Sequence, residues 1–300
     1  MQEPLILVVQ GPTASGKTNL AISLAQHFNT EIISFDSRQF YKEMSIGTAV
    51  PSEQELSAVK HHFIQHTSYA NAINAAEFAK LAQPILNELI KKFGVVVLVG
   101  GSALFADALL LGLDDLPHDP SVQEKWQTLF KEYGLAYLQE QLKRLDSAYF
   151  EVMDTQNSRR LIRALEIVEI TGKSNLDLRN GFKAKPSNLQ RFVIDWPRDQ
   201  LYERIHLRVD QMLAEGLAQE ATQLFNVHQQ YKTLQTVGYT EFFDFWKGEI
   251  KQEQVSVLIK QHTRNYAKRQ LTWMRRYPEV HYLDPLSSIP LDQQALDQIG

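Results

Sequence analysis

The stretch Gly11–Thr18, GPTASGKT, follows directly on the apolar run Leu5-Ile6-Leu7-Val8-Val9 and opens an amphipathic segment that begins at Lys17. It fits the pattern G-x-x-x-x-G-K-[ST] in the strand–loop–helix setting that pattern requires. Gly11, Pro12, Thr13, Ala14, Ser15, Gly16, Lys17 and Thr18 are therefore read as a phosphate-binding loop. Successive backbone N–H groups of such a loop point at an anion, and the helix N-terminus behind them adds a favourable dipole. Lys17 contributes a mobile cation, and the Thr18 hydroxyl is the candidate ligand for Mg²⁺. The loop predicts a ligand carrying a di- or triphosphate but not its reaction; taken alone, it points to a kinase or an NTPase.

The rest of the chain agrees with the fold that this loop demands. Leu5–Gln10, Glu31–Ser34 and the β-branched run Val95–Val99 read as strands, and Lys17–Phe28, Ala75–Phe93 and Ala103–Leu111 as helices. Such alternation predicts a parallel sheet covered on both faces. Leu113–Pro120, with two prolines and three aspartates, reads as a linker, and from Ser121 to about Leu178 every apolar pattern is helical. After a loop at Gly181–Asn188, Arg191–Ile194 returns to the sheet. A helix over Arg198–Glu215 follows, with Pro197 before it, Gly216 after it and an apolar stripe of Leu201, Ile205, Val209, Met212 and Leu213. The predicted fold class is α/β, a P-loop NTPase-like parallel sheet core (residues 1–115 and 186–300) interrupted by an all-helical insertion (116–185).

Composition narrows the partners. Formal net charge is −4 over 300 residues, so any nucleic-acid contact must come from local basic patches. The absence of cysteine excludes disulfides and thiolate metal sites and suits a cytoplasmic protein. No apolar run approaches the roughly 20 residues of a membrane span. The first residues lack a basic segment followed by an apolar stretch, so no signal peptide is expected. The nine histidines show no ligand spacing.

Several further residues are candidates for chemistry. Asp36 follows the second strand, at the sheet edge where parallel α/β folds bind ligands, and its carboxylate can accept a proton or hold Mg²⁺ through water. A turn-capping aspartate is the competing reading. Gly100-Gly101-Ser102 puts flexible backbone and a hydroxyl at the same edge, although a tight strand-to-helix turn explains the glycines equally well. Arg159, Arg160 and Arg163 crowd the start of a helix capped by Asn157. Their position against the helix dipole favours a phosphate partner, against a solvated face with an Arg163–Glu166 pair. Arg204 and Arg208 flank an apolar stripe and face either the crevice or an ion pair with Glu203 or Asp210. In Lys260–Arg276, basic residues including Arg264, Lys268 and Arg269 interleave with Tyr266 and Trp273. This suits a nucleic-acid groove, or an amphipathic helix whose aromatics pack inward.

Taken together, the segments resemble the tRNA dimethylallyltransferase family, also called tRNA isopentenyltransferases. The matching stretches are GPTASGKT, Asp36–Ala49, Leu98–Phe105, Asn157–Ile167, Arg204–Gly216, Val237–Tyr239 and Thr263–Arg276, in the family's order along nearly the whole chain. The resemblance implies transfer of a dimethylallyl group from dimethylallyl diphosphate to N6 of adenosine-37 beside the tRNA anticodon, with Mg²⁺ as cofactor. It assigns Asp36, Thr13 and Arg208 to catalysis and the loop to the diphosphate. It assigns tRNA contacts to Asp36, Ser37, Arg38, Gln39, Ser102, Gln123, Arg159, Arg160, Leu161, Ile162, Arg163, Val237, Gly238, Tyr239, Lys268 and Arg269. It makes the helical insertion an anticodon-stem clamp and the enzyme a cytoplasmic monomer with no membrane partner. Three departures stand out: Gly-Gly-Thr-Gly-Leu-Tyr of the family is Gly100-Gly101-Ser102-Ala103-Leu104-Phe105 here, a lysine before Pro51 is Val50, and the residue after Gly238-Tyr239 is Thr240. The competing readings are a small-molecule or nucleotide kinase and an RNA-binding GTPase-like switch, the latter without its Asn-Lys-x-Asp signature. A further one is the related family that prenylates free adenine nucleotides.

Overall fold

The computed structural model describes residues 3–114, 116–178 and 186–299. The chain divides into two compact units, 1–111 with 185–300, and 112–184. Asp115 and most of the loop expected at Gly181–Asn188 lie outside the described residues.

In the first unit the elements run β1 (Leu5–Gln10), α1 (Lys17–His27), β2 (Ile32–Ser34), α2 (Glu53–Ala58), β3 (His61–His62), α3 (Ala75–Phe93), β4 (Val95–Gly100) and α4 (Ala103–Leu111). The second unit holds α5 (Pro120–Leu145), α6 (Ser147–Val152), α7 (Ser158–Thr171) and α8 (Asn175–Leu178). The first unit then resumes with β5 (Leu189–Ile194), α9 (Arg198–Ala214), α10 (Leu217–Phe225), α11 (Thr240–Trp246), α12 (Gln252–Met274), β6 (His281–Leu283) and α13 (Leu291–Ile299).

The six strands form one sheet in the order β3-β2-β4-β1-β5-β6, and every pairing is parallel. Successive side chains of a strand leave on opposite faces. Accordingly Ile6, Val8, Val96 and Leu98 join a core that includes Phe78, Leu109, Val209 and Ile259, while Leu7, Val9, Val97 and Val99 join one that includes Leu20, Leu24 and Ala295. The unbroken apolar runs of β1 and β4 are thus explained by burial on both sides. The β1–β4 register pairs Gln10 with Gly100. The phosphate loop and the Gly100-Gly101-Ser102 turn therefore leave the sheet side by side.

Element ends follow local chemistry. Asn74 and Glu77 form a capping box on α3, and Gly94 ends that helix at φ 72°. The expected strand at Glu31–Ser34 begins one residue later, because the ladder to β3 and β4 starts at Ile32, opposite His61 and Val97; the Glu31 side chain pairs with Lys60 (3.0 Å) and His62 (2.7 Å). The expected helix over Arg198–Glu215 ends at Ala214, with Glu215 as its cap.

The helical unit packs α5 against α7 around Trp126, Leu138, Leu142, Leu161, Ile162 and Leu165. Helix α5 breaks at Gly134, whose φ of 77° and ψ of −170° are not helical. Asp119, Asp146 and Asn157 cap α5, α6 and α7 through their side chains.

Candidate active site

The phosphate loop is built at the carboxyl end of β1. Ala14 and Gly16 both adopt positive φ, 64° and 92°, which turns the loop around a concave backbone. A positive φ is costly for alanine, and here the surroundings fix it. The Ala14 carbonyl accepts from Arg204 Nε (2.8 Å), and the Ser15 carbonyl accepts from Trp196 Nε1 (2.9 Å). Both carbonyls are held from outside the loop by residues on or beside α9. Arg204 also stacks on Trp196 at 4.3 Å, so it braces the loop.

Three charged groups meet behind the loop. Burial pulls the Lys17 pKa below the ordinary lysine value, Asp36 pulls it back up, and Arg208 lowers it further. Burial likewise lowers Arg208, against the opposing charges of Asp36 and Glu55. Lys17, Asp36 and Arg208 are thus electrostatically coupled. Arg208 Nε is buried without a partner, and one terminal nitrogen reaches the Ala49 carbonyl only at 3.5 Å. A half-buried guanidinium whose Nε is buried with its donor unused is set up to receive an anion. The alternative ion pair with Asp210 is not formed, since Asp210 accepts Lys260 at 2.6 Å.

Arg208 stands where three hollows meet. One, about 40 Å³, is lined by Thr13, Asp36, Arg38, Gly47, Thr48, Val237, Gly238, Tyr266 and Gln270, among others. The second, about 320 Å³, is lined by Gly16, Lys17, Thr18, Glu55, Arg204 and Arg208. The third, about 590 Å³, carries Ile46, Val50, Pro51, Leu56 and Met212 beside Thr18 and Arg208. Thr13 and Asp36 face the first hollow, and the cationic end of the loop faces the second. This arrangement can hold a diphosphate on one side of Arg208 and an acceptor beside a carboxylate on the other.

Asp36 lies in a turn. Its Oδ1 accepts the Arg38 N–H (3.3 Å), so it caps a turn and lines the crevice at once. The Ser37 and Ser102 hydroxyls share a 2.9 Å hydrogen bond, and Ser102 Oγ also accepts the Ser37 N–H at 3.2 Å. Gln39 is buried, donating to the carbonyls of Ala49 (2.7 Å) and Thr48 (3.3 Å). Arg38 stacks on the Tyr266 ring at 3.8 Å.

Helix α12 presents different faces to the interior, the crevice and solvent. Trp273 packs inward, donating to Asp107 (3.1 Å), while Lys268 and Arg269 are exposed. On its crevice face, Ile259, Thr263, Tyr266 and Gln270 line the first hollow. Gln270 accepts the Thr13 N–H (3.2 Å) and donates to the Gly101 carbonyl (3.0 Å), so it ties the phosphate loop to the neighbouring turn. Tyr266 was expected as a groove aromatic or an inward-packing one, whereas Gln270 was not among the expected site residues; its four-residue spacing from Tyr266 on one helical face was the available signal.

In the helical unit, Arg159 and Arg160 are exposed at the start of α7, and Gln123 is half-buried in α5. Arg163 binds the buried Glu166 (2.8 Å) and the carbonyls of Pro117 (2.8 Å) and Leu116 (3.1 Å), so its guanidinium is spent within the unit. Leu161 (0% exposed) and Ile162 (7%) belong to the core. Their side chains pack within the unit, so any contact they make with tRNA would have to come from the backbone. Val237 and Gly238 line the crevice, whereas Tyr239 is buried with its hydroxyl on Glu220 (2.6 Å).

Among the described residues no cluster of three His, Cys, Asp or Glu side chains could cage a metal. The Thr18 hydroxyl, with Glu55 in the same hollow and Asp36 beside Lys17 and Thr18 in an adjoining one, is a sparse oxygen set. It fits Mg²⁺, which takes few protein ligands and completes its shell with phosphate oxygens and water.

Fold and site together define an α/β protein in which a loop of the phosphate-binding pattern faces a carboxylate across a half-buried arginine. The IPP transferase family pattern matches residues 39–277, and the chain belongs to that family. It is 46% identical to the tRNA dimethylallyltransferase of Christiangramia forsetii over 288 residues, covering 95% of this chain and 94% of that one. The crystal structure of the tRNA isopentenylpyrophosphate transferase of Bacillus halodurans superposes with a TM-score of 0.72 at 34% identity, covering 99% of this chain and 95% of the other. A eukaryotic dimethylallyltransferase acting on tRNA shares the fold, with a TM-score of 0.81 at 24% identity over 99% of this chain and 77% of its own.

Proposed function

We propose that this protein is a tRNA dimethylallyltransferase that uses dimethylallyl diphosphate to prenylate N6 of adenosine-37. The observation that carries the reading is Arg208, half-buried with its Nε buried and unpartnered, between the phosphate loop and the hollow lined by Asp36. A kinase loop positions a phosphoryl group for attack; here the same loop would hold the leaving group.

In this reading the N6 lone pair attacks the allylic C1, the C1–O bond breaks, and its electron pair leaves on pyrophosphate. The amine is weakly nucleophilic because its lone pair is delocalised into adenine. Asp36 takes the N6 proton as the bond forms, so no full charge builds on the ring. Loop amides, Lys17 and Arg208 receive the charge that develops on the diphosphate, and Thr13 stands beside the bridging oxygen. Thr18, with water and phosphate oxygens, would hold Mg²⁺, which supplies further charge neutralisation when bound. The target adenine has to leave its stack to reach Asp36, at a cost of about a few kcal/mol that contacts elsewhere on the tRNA offset.

Exposed Arg159, Arg160, Lys268 and Arg269 are suited to phosphate contacts. The enzyme acts as a cytoplasmic monomer in this account. Among the described residues no helix is long and apolar enough to cross a membrane. The test is a pyrophosphate-release assay with dimethylallyl diphosphate. Release that requires unmodified tRNA supports the proposal; release supported by AMP, or consumption of ATP without tRNA, refutes it.

A further inference from the structure

The loop 45–49 forms one wall of the crevice, and a residue outside the crevice holds it. Glu220, on α10, accepts three successive backbone N–H groups with one carboxylate: Ser45 (2.8 Å) and Ile46 (2.9 Å) on Oε2, and Gly47 (2.9 Å) on Oε1. Oε1 also accepts the Tyr239 hydroxyl at 2.6 Å. Burial, then the charge of Glu220, push the Tyr239 pKa well above the ordinary tyrosine value, so the phenol stays a donor.

The fit admits little movement. A Cβ on Gly47 would stand 2.5–2.7 Å from the Tyr239 ring and hydroxyl, so the backbone lies flat against that ring. On its other side the loop meets the site itself: Gln39 donates to Thr48 and Ala49, and Arg208 reaches the Ala49 carbonyl. Gly47 and Thr48 line the same hollow as Asp36 and Thr13, whereas Glu220 lines none of the three hollows that meet at Arg208.

We infer that Glu220 is a positioning residue: its carboxylate, with Tyr239, fixes the 45–49 wall so that the acceptor amine and the allylic carbon meet between Asp36 and Arg208. A charge-assisted clamp suits this role, because hydrogen bonds to an ionised acceptor are short and strong. A glutamine would keep the shape of Glu220 but present an NH₂ to N–H donors, leaving at least one of them unpaired. Displacing the wall by about 1 Å is enough to cost roughly 100-fold in rate.

This inference rests on the transferase reading, and the experiment separates the two. Wild-type protein, Glu220→Gln and Tyr239→Phe are assayed with dimethylallyl diphosphate and tRNA, per folded molecule, alongside calorimetric binding of pyrophosphate alone. Absence of any tRNA-dependent transfer by the wild type rejects the underlying reading. Given wild-type transfer, Glu220→Gln is expected to lose about 10- to 100-fold in kcat while pyrophosphate affinity stays within about twofold, since the phosphate loop does not touch Glu220. Tyr239→Phe, which keeps the carboxylate and its three backbone bonds, is expected to fall in the same direction by less, and it decides the matter if Glu220→Gln does not fold. Unchanged kcat, or a loss of pyrophosphate affinity equal to the loss of rate, overturns the inference.

Discussion

Single side chains carry the proposed chemistry here, and their neighbours explain why they can. Asp36 is fixed by the Arg38 amide, faces the crevice with Thr13, and feels Lys17 and Arg208. Replacing it with alanine removes the proton acceptor but leaves the loop cations. Asp36→Ala is therefore expected to lose about 10²- to 10⁴-fold in kcat while still binding pyrophosphate and tRNA; full activity in that variant would remove Asp36 as the base. Gly100 supports the same residue from behind. A Cβ there would lie 2.6 Å from the Phe35 ring and 2.8 Å from the Asp36 amide nitrogen, with no flexible side-chain end to give way on the backbone side. Gly100→Ala is expected to destabilise the fold by about 1–3 kcal/mol and to lower turnover by moving Asp36. Thermal melting and steady-state rates check both, and a variant as stable and active as wild type contradicts the packing account.

Among the elements, the helical unit makes a separate prediction. Burial of Glu166 would raise its pKa, but Arg163, the Asp119 amide and His118 outweigh this and hold it below the ordinary 4.5. Asp146 is likewise held below the ordinary 3.8: burial opposes, and bonds from Ser174, Asn175 and Tyr149 prevail. A carboxyl with a depressed folded pKa binds protons more tightly in the unfolded chain. Its stabilisation is present above the ordinary value and disappears as pH falls through the folded one. The helical unit is thus expected to lose protection below about pH 4, with Glu166→Gln flattening that dependence. Hydrogen exchange of the full chain between pH 7 and pH 3 reads it out, and pH-independent protection of α5 and α7 contradicts it. Elements also differ in how far the sequence revealed them. Strands β1 and β4 were legible because both faces are buried and Leu5–Val9 and Val95–Val99 are unbroken apolar runs. Strands β3 and β6, of two and three residues, are too short to show a period. Helix α12 was legible as a helix, yet which of its aromatics faced the crevice depended on packing against α9. The Glu220 clamp joins positions 173 to 175 residues apart and leaves no local pattern at all.

Over the whole molecule, the phosphate loop acquires a meaning it lacks by itself. The motif is common to enzymes that move phosphoryl groups. What gives it meaning is the company: a carboxylate beside the loop, a half-buried arginine whose Nε has no partner, and a wall of backbone held from behind. The net charge of −4 excludes general attraction for RNA, so in the proposed function recognition falls to local cations such as those exposed at the start of α7 and along α12. The central claim is that the diphosphate on the loop is a leaving group and the acceptor an adenine amine in tRNA. Mass-spectrometric nucleoside analysis of unmodified tRNA after incubation with the protein and dimethylallyl diphosphate tests it directly. N6-dimethylallyladenosine at position 37, with one pyrophosphate released per transfer, is the predicted result; tRNA recovered unmodified from a set that includes A36-A37-A38 anticodon loops would contradict it.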